Sequence, residues 1–272
     1  MSPVHTVSHV LDAIQQAKAG ATAFCTNFFP TQPKLQAWID HRELFSQIRD
    51  RAAFFFRKER DFFHFYFAAA SPEVLRSNLD AISRTERLVA DLIGNEASLN
   101  DLLAQLKSAG FRQYRCLSRL SRTAQPTQSQ PTANGSQVVY AEPADCDAII
   151  SLLEKSFDRY ADQIPFPYEI DAAIQARQIF AIRCDSALAA LLFFETQGFT
   201  STVRYWVVAN QFQSVGFGSA LIRHYFAAQS AVRRFILWVT VDNENAVKKY
   251  RHYGYNPDGL VDNVLVNSLV PV

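Results

Sequence analysis

Glycine is scarce: 9 residues in a chain of 272. Where two of the nine stand one residue apart, at Gly216 and Gly218, a specific backbone demand is the natural explanation. Cysteine is scarcer still, and Cys25, Cys116, Cys146 and Cys184 lie far apart. That spacing excludes a paired-cysteine zinc site and argues against a disulfide frame, fitting reduced thiols in a cytoplasmic protein. The six histidines show no metal-ligand spacing, so no metal is expected, and His64 among phenylalanines reads as a strand residue. No Ser/His/Asp or Cys/His order stands out. Net charge is nearly absent, at +1, which gives no general attraction to nucleic acid or to an anionic membrane. No apolar run reaches the length of a membrane helix, and residues 1–19 have no signal-peptide core.

What is abundant is apolar surface: 49% of residues are hydrophobic and 22 are Phe, enough for two cores. The clearest interruption is Thr123 to Gln137, rich in Gln, Pro, Thr and Ser without apolar periodicity. It divides the chain into an amino-terminal α/β domain, 1–122, a linker, 123–137, and a carboxyl-terminal domain, 138–272.

In the first domain, periodicity predicts a helix over Val7 to Lys18, a strand over Ala21 to Phe29 and a helix over Lys34 to Arg49. A hairpin from Ala53 to Phe67, a helix from Pro72 to Ser83, a strand from Leu88 to Ile93, a helix from Ser98 and a strand from Phe111 complete it. In the second, the order is strand, two helices, three strands, helix, strand, helix, strand, ending at Val261 to Val266. This alternation argues for a mixed α/β sheet with helices on both faces.

Two stretches carry chemistry. Trp206 to Val208 closes an apolar strand, Gln213-Ser-Val-Gly216-Phe-Gly218 turns, and a helix is expected from near Ser219. Unpaired amides at a helix start, with the positive dipole end, form a ready phosphate site. The nucleotide-triphosphate loop and the dinucleotide fingerprint are not matched. The second stretch is Val241-Asp-Asn-Glu-Asn245-Ala246, succeeded by Tyr250 and Gly254-Tyr255, where Asn245 at the expected helix start can cap it.

Together these stretches resemble the GNAT acyltransferase superfamily, with its Gln/Arg-x-x-Gly-x-Gly/Ala turn and its Asn-Ala…Tyr…Gly-Phe/Tyr segment. The resemblance spans roughly Gln137 to Asn267. It implies a tandem α/β protein whose carboxyl-terminal half binds acetyl-coenzyme A as co-substrate. Backbone groups of Trp206, Val207 and Val208 would take the pantetheine arm. Gln213 and the amides of Ser214, Val215, Gly216, Phe217, Gly218 and Ser219 would take the pyrophosphate, and Asn245 would hydrogen-bond the coenzyme. Tyr250 would protonate the departing thiolate. The family's usual Glu is missing from the strand Phe199 to Val207. Glu195 is the best remaining carboxylate for a catalytic base, or else a solvated strand end. Arg204 either faces the site or pairs with a surface carboxylate.

The loop Asp158 to Tyr168 either receives a cationic or aromatic amine or packs on its own helix. The amino half is either a degenerate GNAT-like copy or an unrelated α+β domain. Its counterpart of the turn, Ala68-Ala-Ala-Ser-Pro72, lacks glycine and loses a donor at Pro72, so it is not expected to bind coenzyme A in the usual way. The resulting expectation is an N-acyltransferase acting on a small-molecule or peptide amine. A coenzyme sensor without transfer is the rival, and transfer from aminoacyl-tRNA a third reading. The oligomeric state is left open, a homodimer included.

Overall fold

The computed structural model describes residues 1–79, 82, 86–124, 138–185 and 187–271. In chain order the first half runs β1 (Ser2–Pro3), α1 (Val7–Lys18), β2 (Cys25–Thr26), α2 (Gln32–Asp40), β3 (Leu44–Arg49), β4 (Ala52–Lys58), β5 (Phe63–Ala69), α3 (Pro72–Leu79), β6 (Leu88–Gly94), α4 (Glu96–Ser108) and β7 (Phe111–Thr123). The second runs β8 (Val139–Tyr140), α5 (Cys146–Ser156), α6 (Pro167–Gln175), β9 (Ile179–Cys184), β10 (Ala187–Gln197), β11 (Thr200–Val208), α7 (Phe217–Ala228), β12 (Arg234–Thr240), α8 (Glu244–His252) and β13 (Asn256–Asn267). The two series match element for element, except that β2 has no counterpart in the second among the described residues.

Two compact units result: residues 1–117 with 259–272, and residues 118–258. The divide falls inside β7 and inside β13, so these units do not coincide with the 1–122 and 138–272 division expected from composition. Residues 259–272 group with the first unit because Val261 to Val266 pair antiparallel with β6, Val261 opposite Gly94 and Val266 opposite Val89. Of the expected linker, Thr123 ends β7 and the Ala124 N–H donates to the Arg233 carbonyl, while 125–137 lie outside the described residues.

In the first unit the sheet order is β1-β3-β4-β5-β6, then the parts of β13 and β7 that belong to it. Both faces are buried, because alternate residues of β4 enter different cores. Phe54 and Phe56 pack with Leu75 and Leu106 of α3 and α4, and Phe55 packs with Val10 and Trp38 of α1 and α2. The expected single helix over 34–49 is overturned. Arg42 takes a left-handed φ of 56° and ends α2, and Leu44 to Arg49 then pair with Arg57 to Ala52 as a strand between β1 and β4. The strand expected over 21–29 shrinks to Cys25–Thr26. The helix from Pro72 ends at Leu79; residues 80, 81 and 83–85 lie outside the described residues. His64 is buried with Nδ1 3.4 Å from Glu59 and Nε2 3.7 Å from Asp91, so this strand residue sits between two carboxylates.

The second unit orders its strands β8-β9-β10-β11-β12, then its share of β7. Helix α7 covers one face through Leu221, Ile222 and Tyr225, and α5 and α6 cover the other through Ile149, Leu153 and Ile170. No helix of the described residues is long and apolar enough to cross a membrane.

Candidate active site

The site of the second unit begins with an irregularity in β11. Phe193 pairs with Tyr205 but Phe194 pairs with Val203, leaving Arg204 as the extra residue of a β-bulge. A bulge bends its strand and re-aims the residues beyond it. The parallel ladder from β11 to β12 runs only from Thr200/Arg234 to Val203/Leu237, although the strands continue to Val208 and Thr240. Beyond Val203 the two strands part. Trp206, Val207 and Val208 therefore lie on an edge with no ladder to β12, where backbone polar groups call for a partner.

The turn comes next in the chain. Asn210 to Phe212 form a 3₁₀ turn, and Gln213 Nε2 donates to Asn210 Oδ1 at 3.0 Å, within the loop itself. Ser214 has φ 67° and Gly216 φ 96°, both left-handed. That conformation at Gly216 brings the chain into the helix at Phe217, two residues earlier than the start expected near Ser219. The first helical bond is Ala220 N–H to Gly216 O, at 3.0 Å. Among the described residues, the amides of Ser214 to Ser219 donate to no protein group. Six consecutive amides without a protein acceptor thus lie at the positive end of α7, where negative charge is favoured. Phe217 is buried and anchors the turn, whereas Gly218 lies against β11: a Cβ there would stand 3.5 Å from Trp206 Nε1 and from Val208 Cγ2.

Helix α8 supplies the third part. Its cap is Asn243, whose Oδ1 accepts the Ala246 N–H at 3.1 Å, and the helix starts at Glu244. The expected cap, Asn245, is instead an exposed residue of the first turn. The reason is register: a cap side chain reaches the amide three residues on, and Asn243 is placed to do that. One turn later the Tyr250 ring lies 5.7 Å from Trp206 and 6.4 Å from Tyr255. Burial, and secondarily the Asp162 carboxylate, push its phenol up to about 12. Tyr253 stands edge-on to Trp206 at 5.5 Å, and its hydroxyl donates to Ser219 Oγ at 2.7 Å.

The loop after α5 lies against β11. Its acids serve its own backbone. Asp158 Oδ1 accepts the N–H groups of Tyr160 and Ala161, Asp162 Oδ2 accepts that of Asp158, and Glu169 accepts that of Phe166. Tyr205, next to the bulge, donates its hydroxyl between the carbonyls of Asp162 and Gln163, at 2.7 and 2.8 Å. The loop thus packs on itself and is fastened to β11. Glu195 lies opposite Thr202, half exposed, with Oε1 3.9 Å from Arg204 Nε, so these two candidate residues face each other. Among the described residues no group of three His, Cys, Asp or Glu side chains is arranged to hold a metal.

Sequence reasoning missed Asn243, Tyr253, Tyr205 and the Trp206 indole. For Asn243 the signal was an Asn near a helix start, which it shares with Asn245; the other three are contacts across elements.

The first unit has the same parting of strands, and there it is filled. The β5–β6 ladder holds Phe63/Leu88 and His64/Val89 and stops. Into the gap comes Asn27, just after β2. Its Nδ2 donates to the carbonyls of Phe65 on β5 and Asp91 on β6, both at 3.1 Å, and its Oδ1 accepts the Phe67 N–H at 2.8 Å. Helix α3 opens with Pro72 and Glu73 in its first turn, where Ser71 Oγ accepts the Val74 N–H.

Residues 146–255 match the family model described as Acetyltransferase (GNAT) family. The fold along the whole chain is similar to a tandem GNAT protein from the clavulanic acid biosynthesis pathway, at 10% identity and TM-score 0.61, covering 100% of this chain and 98% of that one. It is also similar to a GCN5-related N-acetyltransferase from Sphaerobacter thermophilus, at 13% identity and TM-score 0.59, covering 81% and 77%. A GNAT-family acetyltransferase from Colwellia psychrerythraea aligns at 12% identity and TM-score 0.54, over 98% of each chain. No curated protein matches the chain.

Proposed function

With residues 146–255 forming a domain of the acetyltransferase (GNAT) family, we propose that the chain transfers the acetyl group of acetyl-coenzyme A to a primary amine by direct attack. The observation that carries this reading is the gap between β11 and β12, opening at the same strand end that feeds the acceptor-free amides of residues 214–219. The free edge of Trp206 to Val208 takes the amide-bearing pantetheine arm as an added strand would. The amides of Ser214 to Ser219 form an anion nest that holds the pyrophosphate. Gln213 adds no charge there, and exposed Asn245 hydrogen-bonds the coenzyme.

The neutral amine attacks the thioester carbonyl carbon. A C–N bond forms, the C–S bond breaks, and the electron pair leaves on sulfur. Tyr250, kept protonated by its burial, gives its phenolic proton to that sulfur. The amine nitrogen loses its proton to Glu195, which stands beside the bulge and opens to water. The four free thiols fit a reducing, cytoplasmic setting.

Calorimetry of acetyl-coenzyme A on wild type and on Gly216→Glu tests the coenzyme site. Binding by the wild type alone is expected, and no binding by the wild type sinks the reading. Tyr250→Phe should lower kcat roughly 10²-fold with little change in coenzyme affinity, on the best substrate of an amine panel.

A second reading, coenzyme binding without transfer, is favoured by one observation: the loop acids are committed to backbone amides and β11 carries no carboxylate. Tight binding with no turnover on that panel would select it.

A further inference from the structure

We propose that Tyr253 and Trp206 are positioning residues that hold Tyr250 at a fixed place relative to the anion-binding turn. Helices α7 and α8 are separated in sequence by β12, and their ends are joined here by a side-chain bond rather than by backbone. The Tyr253 hydroxyl donates to Ser219 Oγ at 2.7 Å, in the first turn of α7, among the amides assigned to the pyrophosphate. The Trp206 indole fills the space between these parts. It lies against Gly218 on the α7 side and meets Tyr250 at 5.7 Å and Tyr253 at 5.5 Å on the α8 side, with Lys249 Nζ 6.0 Å from its ring. One aromatic plate thus touches the turn, the acid and the residue that bonds the turn. A ring pair with defined geometry resists sliding better than aliphatic contact does. Both χ angles of Tyr253 are further restricted by its hydrogen bond, so the backbone of α8 near Tyr250 is pinned three residues away.

The proposal rests on the acid role given to Tyr250, and the test separates the two. Tyr253→Phe keeps the ring and removes the hydroxyl; Ser219→Ala removes its partner. Each should lower kcat on the best amine about fivefold, the worth of one hydrogen bond, and shift the coenzyme Kd by less than about twofold. The double variant should be no worse than either single one, because both remove the same bond. In a Tyr250→Phe background, Tyr253→Phe should have no further effect, since no acid remains to be placed. Trp206→Leu should bring the alkaline limb of the kcat–pH profile to lower pH, as the phenol loses its cover and deprotonates more readily.

A role in folding alone would lower the unfolding midpoint and leave the split between kcat and Kd, the background dependence and the pH limb unmoved; that result overturns the proposal. So does an additive double variant. If Tyr250→Phe turns over like wild type, the acid role falls and the positioning role with it. If Tyr250→Phe is slow but Tyr253→Phe is not, only the positioning role falls. A wild type that binds the coenzyme and acetylates no amine overturns both.

Discussion

The two glycines of the turn are one residue apart and should fail in opposite ways. Gly216 has φ 96° and ψ 0°, and a Cβ built on it meets nothing within 4 Å. Its replacement by Ala therefore costs only backbone energy, about 1–2 kcal/mol for an L-residue held in the left-handed region. For a protein of this size that is a fall of roughly 2–8 °C in the unfolding midpoint. If the strain is relieved by opening the turn, the nest loses its shape and coenzyme affinity drops by a similar free energy, about 5- to 30-fold. Gly218 lies inside the first turn of α7 with an ordinary helical φ, and its Cβ would sit 3.5 Å from Trp206 Nε1 and Val208 Cγ2, a normal contact. Ala fits there and gains up to about 0.5–1 kcal/mol of helix preference. Gly218→Ala should keep or slightly raise the midpoint and keep affinity within about threefold, because the methyl points at β11 and not at the concave side of the turn. Thermal unfolding and calorimetry on both variants decide it. A Gly216→Ala protein that melts and binds like wild type would refute the left-handed turn as the source of the nest. A tenfold or greater loss of affinity in Gly218→Ala would mean that the ligand runs between α7 and Trp206.

The phenol of Tyr250, raised from 10.0 to about 12 in the folded protein, makes stability depend on alkaline pH. Below pH 10 the folded and unfolded states both hold the proton and the contribution is complete. Above it the unfolded state ionises first and stability is lost until the folded phenol also titrates. Urea midpoints measured from about pH 9 to about pH 11 should fall, and less steeply in Tyr250→Phe; equal slopes would contradict the burial of this ring. Asn243→Ala should cost about 1 kcal/mol and Asn245→Ala close to nothing, read by chemical denaturation; the reverse order would restore Asn245 as the cap. Asn27→Ala strands the Phe65 and Asp91 carbonyls and the Phe67 amide, and should cost roughly 2–3 kcal/mol, with faster hydrogen exchange at Phe67. An unchanged Phe67 amide would show that water replaces the side chain.

Much of the carboxyl-terminal unit was legible because its signals are local. Gly216 and Gly218 between an apolar strand and an amphipathic helix, and Tyr250 shortly before Gly254, need only neighbours in the chain to be read. Errors arose where locality failed. Leu44 to Arg49 continues an acceptable helical stripe from α2, and only pairing with Arg57 to Ala52 makes it a strand. Asn243 and Asn245 are equally good caps on paper, and the amide within reach chooses between them. The membership of residues 259–272 in the first unit rests on β6, far upstream in the chain, which no periodicity records. Tyr253 reads as one more aromatic until its bond to Ser219 is seen. The fate of the loop acids was likewise unreadable, since a carboxylate that binds its own backbone has the same letters as one that waits for an amine.

Asn27 gives the amino-terminal unit an occupant that never leaves. A side-chain amide bridges β5 and β6, with a short strand paired to β5 beside it, where in the other unit β11 and β12 part without a ladder beyond Val203. Such an occupant is covalently tethered, so it competes at an effective concentration of about a millimolar or more whatever the solution contains. A diffusing coenzyme would have to displace it while finding neither glycine turn nor free amide at Pro72. The two halves share a fold, but a titration should close at one coenzyme per chain, because one of the two seats was taken when the protein folded.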